Sequence, residues 1–89
     1  MRGAGERPRR RRDVRVEVVE DGLVVQTADG QSVHLLNRTA AFIWERCDGS
    51  HTIEAIVGDL ADETGEGPAR LSADVAAALA DLHDKGLLE

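Results

Sequence analysis

The chain predicts an α+β domain in which a three-stranded antiparallel sheet precedes three helices. Three observations carry this. Two Asp-Gly steps, Asp21-Gly22 and Asp29-Gly30, separate runs rich in Val, Leu and Thr, and Gly at such steps accepts the positive φ of tight hairpins. After Leu36 the apolar residues leave a spacing of two for the three-and-four spacing of helices. A chain of 89 residues has room for one core, and a sheet face with three helical stripes is enough to close it.

The elements follow in order. Val14-Arg15-Val16-Glu17-Val18 alternates apolar and charged side chains, the period of a half-buried strand. Leu23–Thr27 and Gln31–Leu36 are the second and third strands. The run Leu36-Asn37-Arg38-Thr39-Ala40-Ala41-Phe42-Ile43-Trp44 turns the third strand into the first helix, Arg38–Arg46, with Asn37 or Thr39 as its cap and Asp48-Gly49 as its stop. Thr52 caps a second helix, whose Ile53, Ile56, Val57, Leu60 and Ala61 form one stripe. Gly65-Glu66-Gly67 breaks it. Pro68 opens the third helix, where its missing N–H costs nothing. Leu71, Val75, Ala78, Leu79 and Leu82 line one face, Gly86 closes the helix, and Leu87 and Leu88 fold back on the core. This order suits a winged helix-turn-helix-like domain over residues 14–89.

Charge divides the chain. Residues 1–15 hold seven arginines against Glu6 and Asp13, a net +5 within a chain whose formal charge is -6. Residues 1–13 have no apolar periodicity and are expected as a disordered Arg-rich arm. Cys47 is the lone cysteine, so no internal disulfide forms and a reducing, cytoplasmic setting is expected. No apolar run approaches the roughly 20 residues of a membrane span, and no secretory h-region follows the first arginines.

Catalytic and metal chemistry find little support. Cys47 and His51 have an i, i+4 spacing, but Asp48-Gly49 lies between them and further ligands are wanting. His34 falls mid-strand, His51 in a turn and His83 late in a helix. No Gly-rich loop precedes a Lys. No cofactor is expected, and no enzyme activity. The element order raises a small winged-helix DNA-binding protein as an alternative, but charge opposes it. The second helix carries Glu54, Asp59, Asp62 and Glu63 without a basic residue, and the third carries Asp74, Asp81 and Asp84 between Arg70 and Lys85. Both would repel a phosphate backbone, so no specific nucleic acid is expected.

From about Gly30 onward the chain resembles the PqqD-like family, named for coenzyme PQQ synthesis protein D. The resemblance lies in Val33-His34-Leu35-Leu36 running into Asn37–Trp44, in Asp48-Gly49, in Thr52-Ile53-Glu54-Ala55-Ile56-Val57 with Leu60, and in Ala73-Asp74-Val75, Leu79, Leu82 and Lys85-Gly86-Leu87-Leu88. It implies a recognition element for ribosomally synthesised, post-translationally modified peptides. Such an adaptor binds the leader segment of a precursor peptide and presents it to a modifying enzyme such as a radical SAM protein, a leader protease or a cyclase. The implied mode is β-strand addition, with the third strand as the edge and the third helix as the groove wall.

The peptide-binding residues expected on that basis are Gln31, Ser32, Val33, His34, Leu35 and Leu36 from the strand, and Asp74, Val75, Ala78, Leu79 and Leu82 from the helix. Strand alternation sends Val33 and Leu35 to one face and His34 and Leu36 to the other, so one set meets the peptide. The apolar residues of the helix serve either as groove floor or as core. Asp74 and Asp81 share a helix face suited to a Lys or Arg of the leader. PQQ-pathway members carry a Tyr-Pro step before the third strand; Thr27-Ala28-Asp29-Gly30 stands here instead, which favours another modified-peptide pathway, such as a lasso peptide or radical SAM system. An open edge strand also allows a homodimer or a regulatory subunit that pairs with its own copy.

Overall fold

The structure is a computed structural model and describes residues 6–89. Six elements follow in order: β1 (Val14–Val19), β2 (Gly22–Thr27), β3 (Val33–Asn37), α1 (Arg38–Glu45), α2 (Ile53–Thr64) and α3 (Pro68–Asp84). The strands form one antiparallel sheet in the order β1-β2-β3, leaving β1 and β3 as its edges. This is the α+β arrangement expected from the two hairpin signals and three helical stripes.

The first hairpin depends on Gly22 for space. A Cβ there would lie 1.8 Å from the Leu36 carbonyl oxygen on β3, so any side chain would push two strands apart. The second turn is held by side chains. Thr27 Oγ1 donates to Asp29 Oδ1 (2.7 Å), and the Gln31 N–H donates to the same oxygen (2.9 Å). These two donors, Thr27 first, hold the Asp29 carboxyl below its ordinary range.

Asn37 is the cap of α1, its Oδ1 accepting from the Ala40 N–H at 2.8 Å. Thr52 caps α2 in the same way, accepting from the Ala55 N–H at 3.0 Å. Such caps satisfy donors that a helix start leaves orphaned, typically worth about 1 kcal/mol. Helix α3 ends in a complete Schellman turn. Gly86 sits at φ 74°, its N–H reaches the His83 carbonyl, and the Leu87 N–H reaches the Leu82 carbonyl. That turn reverses the chain and buries Leu87 completely.

Helix α1 is the hub. Its backbone comes within 8 Å of β2, β3, α2 and α3, whereas neither α2 nor α3 comes that close to a strand. The core gathers Leu23, Val25 and Leu36 from the sheet with Ile43, Trp44, Ile56, Leu60, Leu71, Val75, Leu79, Leu82 and Leu87. At about 1.5–3 kcal/mol per large apolar side chain, this burial is the main stabilising contribution. Because α1 stops at β2 and β3, β1 is left without a helical cover. Val16 and Val18 are therefore exposed, not half-buried as their alternation predicts.

The basic segment also differs from the disordered arm expected for it. Residues 1–5 lie outside the described residues, but Pro8–Arg11 run extended between the α1–α2 loop and the C-terminal tail. On one side the Arg10 N–H donates to the Cys47 carbonyl (2.6 Å) and the Gly49 N–H to the Pro8 carbonyl (3.1 Å). On the other the Arg11 N–H donates to the Leu87 carbonyl (3.0 Å) and the Glu89 N–H to the Arg9 carbonyl (2.8 Å). Trp44 Nε1 donates to that same Leu87 oxygen at 3.0 Å, and the Arg10 guanidinium lies 5.8 Å from the Trp44 ring centre. Composition marks this stretch as a solvated tail. The backbone partners that order it come from a loop and a terminus far away in sequence.

Candidate functional site: the open edge of β3

The geometry of β3 follows from its pairing. Leu23 lies opposite Leu36, Val24 opposite Leu35, Val25 opposite His34 and Gln26 opposite Val33. Thr27 is thus opposite Ser32, and its N–H donates to the Ser32 carbonyl at 3.0 Å. Hydrogen-bonded and non-bonded pairs alternate along an antiparallel ladder. The bonded pairs are therefore Thr27–Ser32, Val25–His34 and Leu23–Leu36. The backbone N–H and C=O groups of Val33 and Leu35 turn away from β2, into the open edge.

Side chains divide by the same alternation. Leu36 is 1% exposed and His34 half-buried on the helix side of the sheet, while Val33 and Leu35 are 62% and 67% exposed on the other. Gln31 and Ser32 belong to the turn. The Ser32 N–H is bonded to Thr27 Oγ1 (3.1 Å) and its carbonyl to Thr27, so its backbone is already used. His34 Nε2 is buried and has no hydrogen-bond partner among the described residues.

On α3, Val75, Leu79 and Leu82 are buried in the core, Ala78 is half-buried, and Asp74 is exposed. No Cα of α3 comes within 8 Å of a strand. Of the eleven residues expected to meet a peptide, Val33 and Leu35 present backbone and side chain at the surface, His34 is half-buried with its Nε2 closed to solvent, and Asp74 and Ala78 are reachable from α3. Val75, Leu79 and Leu82 take the core alternative weighed for the helix in the sequence, and Leu36 is likewise core and not at the peptide-binding surface expected for it.

The chemistry-bearing side chains elsewhere are tied into structure. Cys47 is fully buried, donates to the Ile43 carbonyl at 3.2 Å, and burial pushes its thiol up to about 11. Such a thiol stays protonated at neutral pH and is a poor nucleophile. Asp48 folds the α1–α2 loop. Its carboxylate accepts from the Ser50 N–H (2.8 Å), the His51 N–H (3.2 Å) and His51 Nδ1 (3.0 Å). Arg46 Nε reaches Asp59 at 3.2 Å while its guanidinium stacks 3.6 Å from the Phe42 ring centre. Among the described residues no group of three or more His, Cys, Asp and Glu is arranged to hold a metal ion, and no helix is long and apolar enough to cross a membrane.

The chain belongs to the PqqD family, since the model for coenzyme PQQ synthesis protein D (PqqD) matches residues 22–88. It is similar in structure to a lasso peptide synthetase B1 complexed with the leader peptide, at 24% identity and TM-score 0.80, over 94% of this chain and 99% of that one. It is also similar to TbiB1 in complex with the TbiA(beta) leader peptide, at 21% identity and TM-score 0.79, over 91% and 94% of the two chains. A third likeness is to the PqqD truncation of Methylobacterium extorquens PqqCD, a functional, stand-alone recognition element for ribosomally synthesised and post-translationally modified peptides. There the identity is 27% and the TM-score 0.78, over 98% of this chain and 93% of that one. No curated protein sequence matches the chain.

Proposed function

We propose that this protein is a non-catalytic adaptor that binds the leader segment of a ribosomally made precursor peptide and delivers it to a modifying enzyme. The observation that carries the reading is the open β3 edge, with the backbone groups of Val33 and Leu35 unpaired by β2 and their side chains exposed. An exposed apolar edge is a liability unless something joins it. A leader that does so gains main-chain hydrogen bonds and contacts for alternate side chains, offset by an ordering cost of about 2–5 kcal/mol. Val33 and Leu35 meet the leader on one face, with the half-buried His34 between them. Asp74 and Ala78 on α3 form the far wall, with Val75, Leu79 and Leu82 as its apolar backing. Gln31 and Ser32 set the start of the edge through their turn.

The enzyme partner is a leader protease, a cyclase or a radical SAM protein. The likeness to a lasso peptide synthetase B1 with its leader peptide supports a lasso-type system over PQQ biosynthesis itself, as does Thr27-Ala28-Asp29-Gly30 in place of a Tyr-Pro step. A single buried thiol supports work in the reducing cytoplasm.

Calorimetric titration with a synthetic leader from the precursor gene nearest this one tests the reading. Binding in the micromolar range or tighter is expected. No leader binding, together with binding of duplex DNA, overturns it.

A further inference from the structure

Among the described residues, four large apolar side chains are exposed, and they divide between the two sheet edges: Val33 and Leu35 on β3, Val16 at 48% and Val18 at 80% exposure on β1. The ladder parity that opens β3 also defines β1. Leu23, Val25 and Thr27 bond to β3, so Gly22, Val24 and Gln26 bond to β1, where they face Val19, Glu17 and Arg15. The backbone groups of Val14, Val16 and Val18 therefore point out of the sheet. The charges this edge carries, Arg15 and Glu17, are of opposite sign and so do not repel a suitably registered copy. Its six residues, VRVEVV, contain no Pro, no Lys and no bulge against β2. Arg15 and Glu17 make no ion pair or side-chain hydrogen bond with any described residue.

We propose that β1 is a self-recognition strand: two copies of the chain pair β1 to β1, antiparallel about a two-fold axis at Val16, and join their sheets into one. Two independent features select this partner and this register. The first is charge. Val14-Arg15-Val16-Glu17-Val18 reads as a charge palindrome, so an antiparallel copy centred on Val16 sets Arg15 opposite Glu17 of the other copy, twice by symmetry. The second is hydrogen-bond parity. The same register sets Val16 opposite Val16 and Val14 opposite Val18, the residues whose backbone groups are free. Arg15 and Glu17 then occupy the non-hydrogen-bonded pairs, where Cα atoms approach to about 4.5 Å and side chains interact most closely.

Other registers lose one feature or both. A shift by one residue sets free backbone groups against used ones. A shift toward Asp13 moves the partner onto a bend outside the strand, where the Asp13 carboxylate is already bonded to Arg11 at 2.7 Å. The paired valines would cover Val16 and Val18, which the helices leave bare. A single strand pair is a small interface, so the dimer is weak and concentration-dependent. It leaves both β3 edges at the ends of the joined sheet. The inference rests on the fold alone and stands or falls separately from the peptide reading.

Sedimentation equilibrium of the full chain, from about 10 µM to 1 mM, tests it in the range expected of a small interface. The wild type should shift from monomer toward dimer. Arg15→Glu and Glu17→Arg each set like charges opposite one another and should raise the dissociation constant about tenfold or more. The two variants mixed should recover association, because both acidic side chains of the first variant then lie opposite arginines of the second; a folding defect would not be repaired by mixing. Circular dichroism checks that each variant is folded. A wild type that stays monomeric, a mixture that fails to associate, or loss of the dimer through Leu35→Lys on β3 overturns the proposal.

Discussion

Asp48 shows how one side chain can set a joint between helices. Its carboxylate gathers two backbone N–H groups and the His51 ring where α1 ends and α2 has yet to begin. These bonds, the His51 ring first, hold its carboxyl well below the ordinary aspartate range. The sign follows from linkage. A depressed folded-state value contributes stability above the unfolded value, about 4, and that stability is lost as pH falls below it. Denaturant midpoints measured between pH 5 and pH 2 should therefore fall steeply for the wild type and more gently for Asp48→Asn. At this scale the sequence was partly legible. Asp48-Gly49 reads as a helix stop and Asn37 as one of two caps. The link from Trp44 Nε1 to the Leu87 carbonyl could not be read, because 43 residues separate the partners.

Among the elements, β3 shows how far alternation carries. Period two divides Val33 and Leu35 from His34 and Leu36, and the structure exposes the first pair and turns the second toward the helices. Two neighbouring substitutions should then behave oppositely. Leu35→Asp adds a charge to a side chain already 67% exposed, so it should leave the thermal midpoint nearly unchanged while weakening leader binding at least about tenfold, as loss of an apolar anchor implies. Leu36→Asp buries a carboxylate in the core and should unfold the domain, a cost above about 4 kcal/mol. Equal loss of stability in both would contradict the assignment of faces. The same reasoning misleads at β1. Alternation reports that one face is apolar, but it does not report whether a helix covers that face. Here α1 ends its reach at β2. On α3, likewise, the apolar stripe is plain in the sequence, whereas its division between core and groove depends on where α1 lies.

For the whole molecule, the least legible feature was the path of the N-terminal segment. Arginine-rich composition argues for a tail in water, yet five backbone hydrogen bonds tie Glu6–Arg11 to the α1–α2 loop, the start of α2 and the C-terminus. Each is worth about 1 kcal/mol net, and ordering the segment offsets part of that. Deleting residues 1–11 should lower unfolding free energy by about 2–4 kcal/mol, read from denaturant melts. A disordered arm would cost nothing on removal. The β3 edge lies on a different part of the fold, so the truncated domain, where folded, should keep its leader affinity. The architecture thus separates its tasks. Burial around α1 and the N-terminal belt hold the domain together, and the sheet edges stay free for other chains.

Residue-resolved amide hydrogen exchange of the domain, with and without a bound synthetic leader, reads out whether a leader peptide joins the sheet as a strand beside β3. The amides of Val33 and Leu35 should gain protection, while those of His34 and Leu36, already bonded to β2, should change little. Protection gained along β1 or α2 instead, with Val33 and Leu35 still exchanging freely, would contradict the claim.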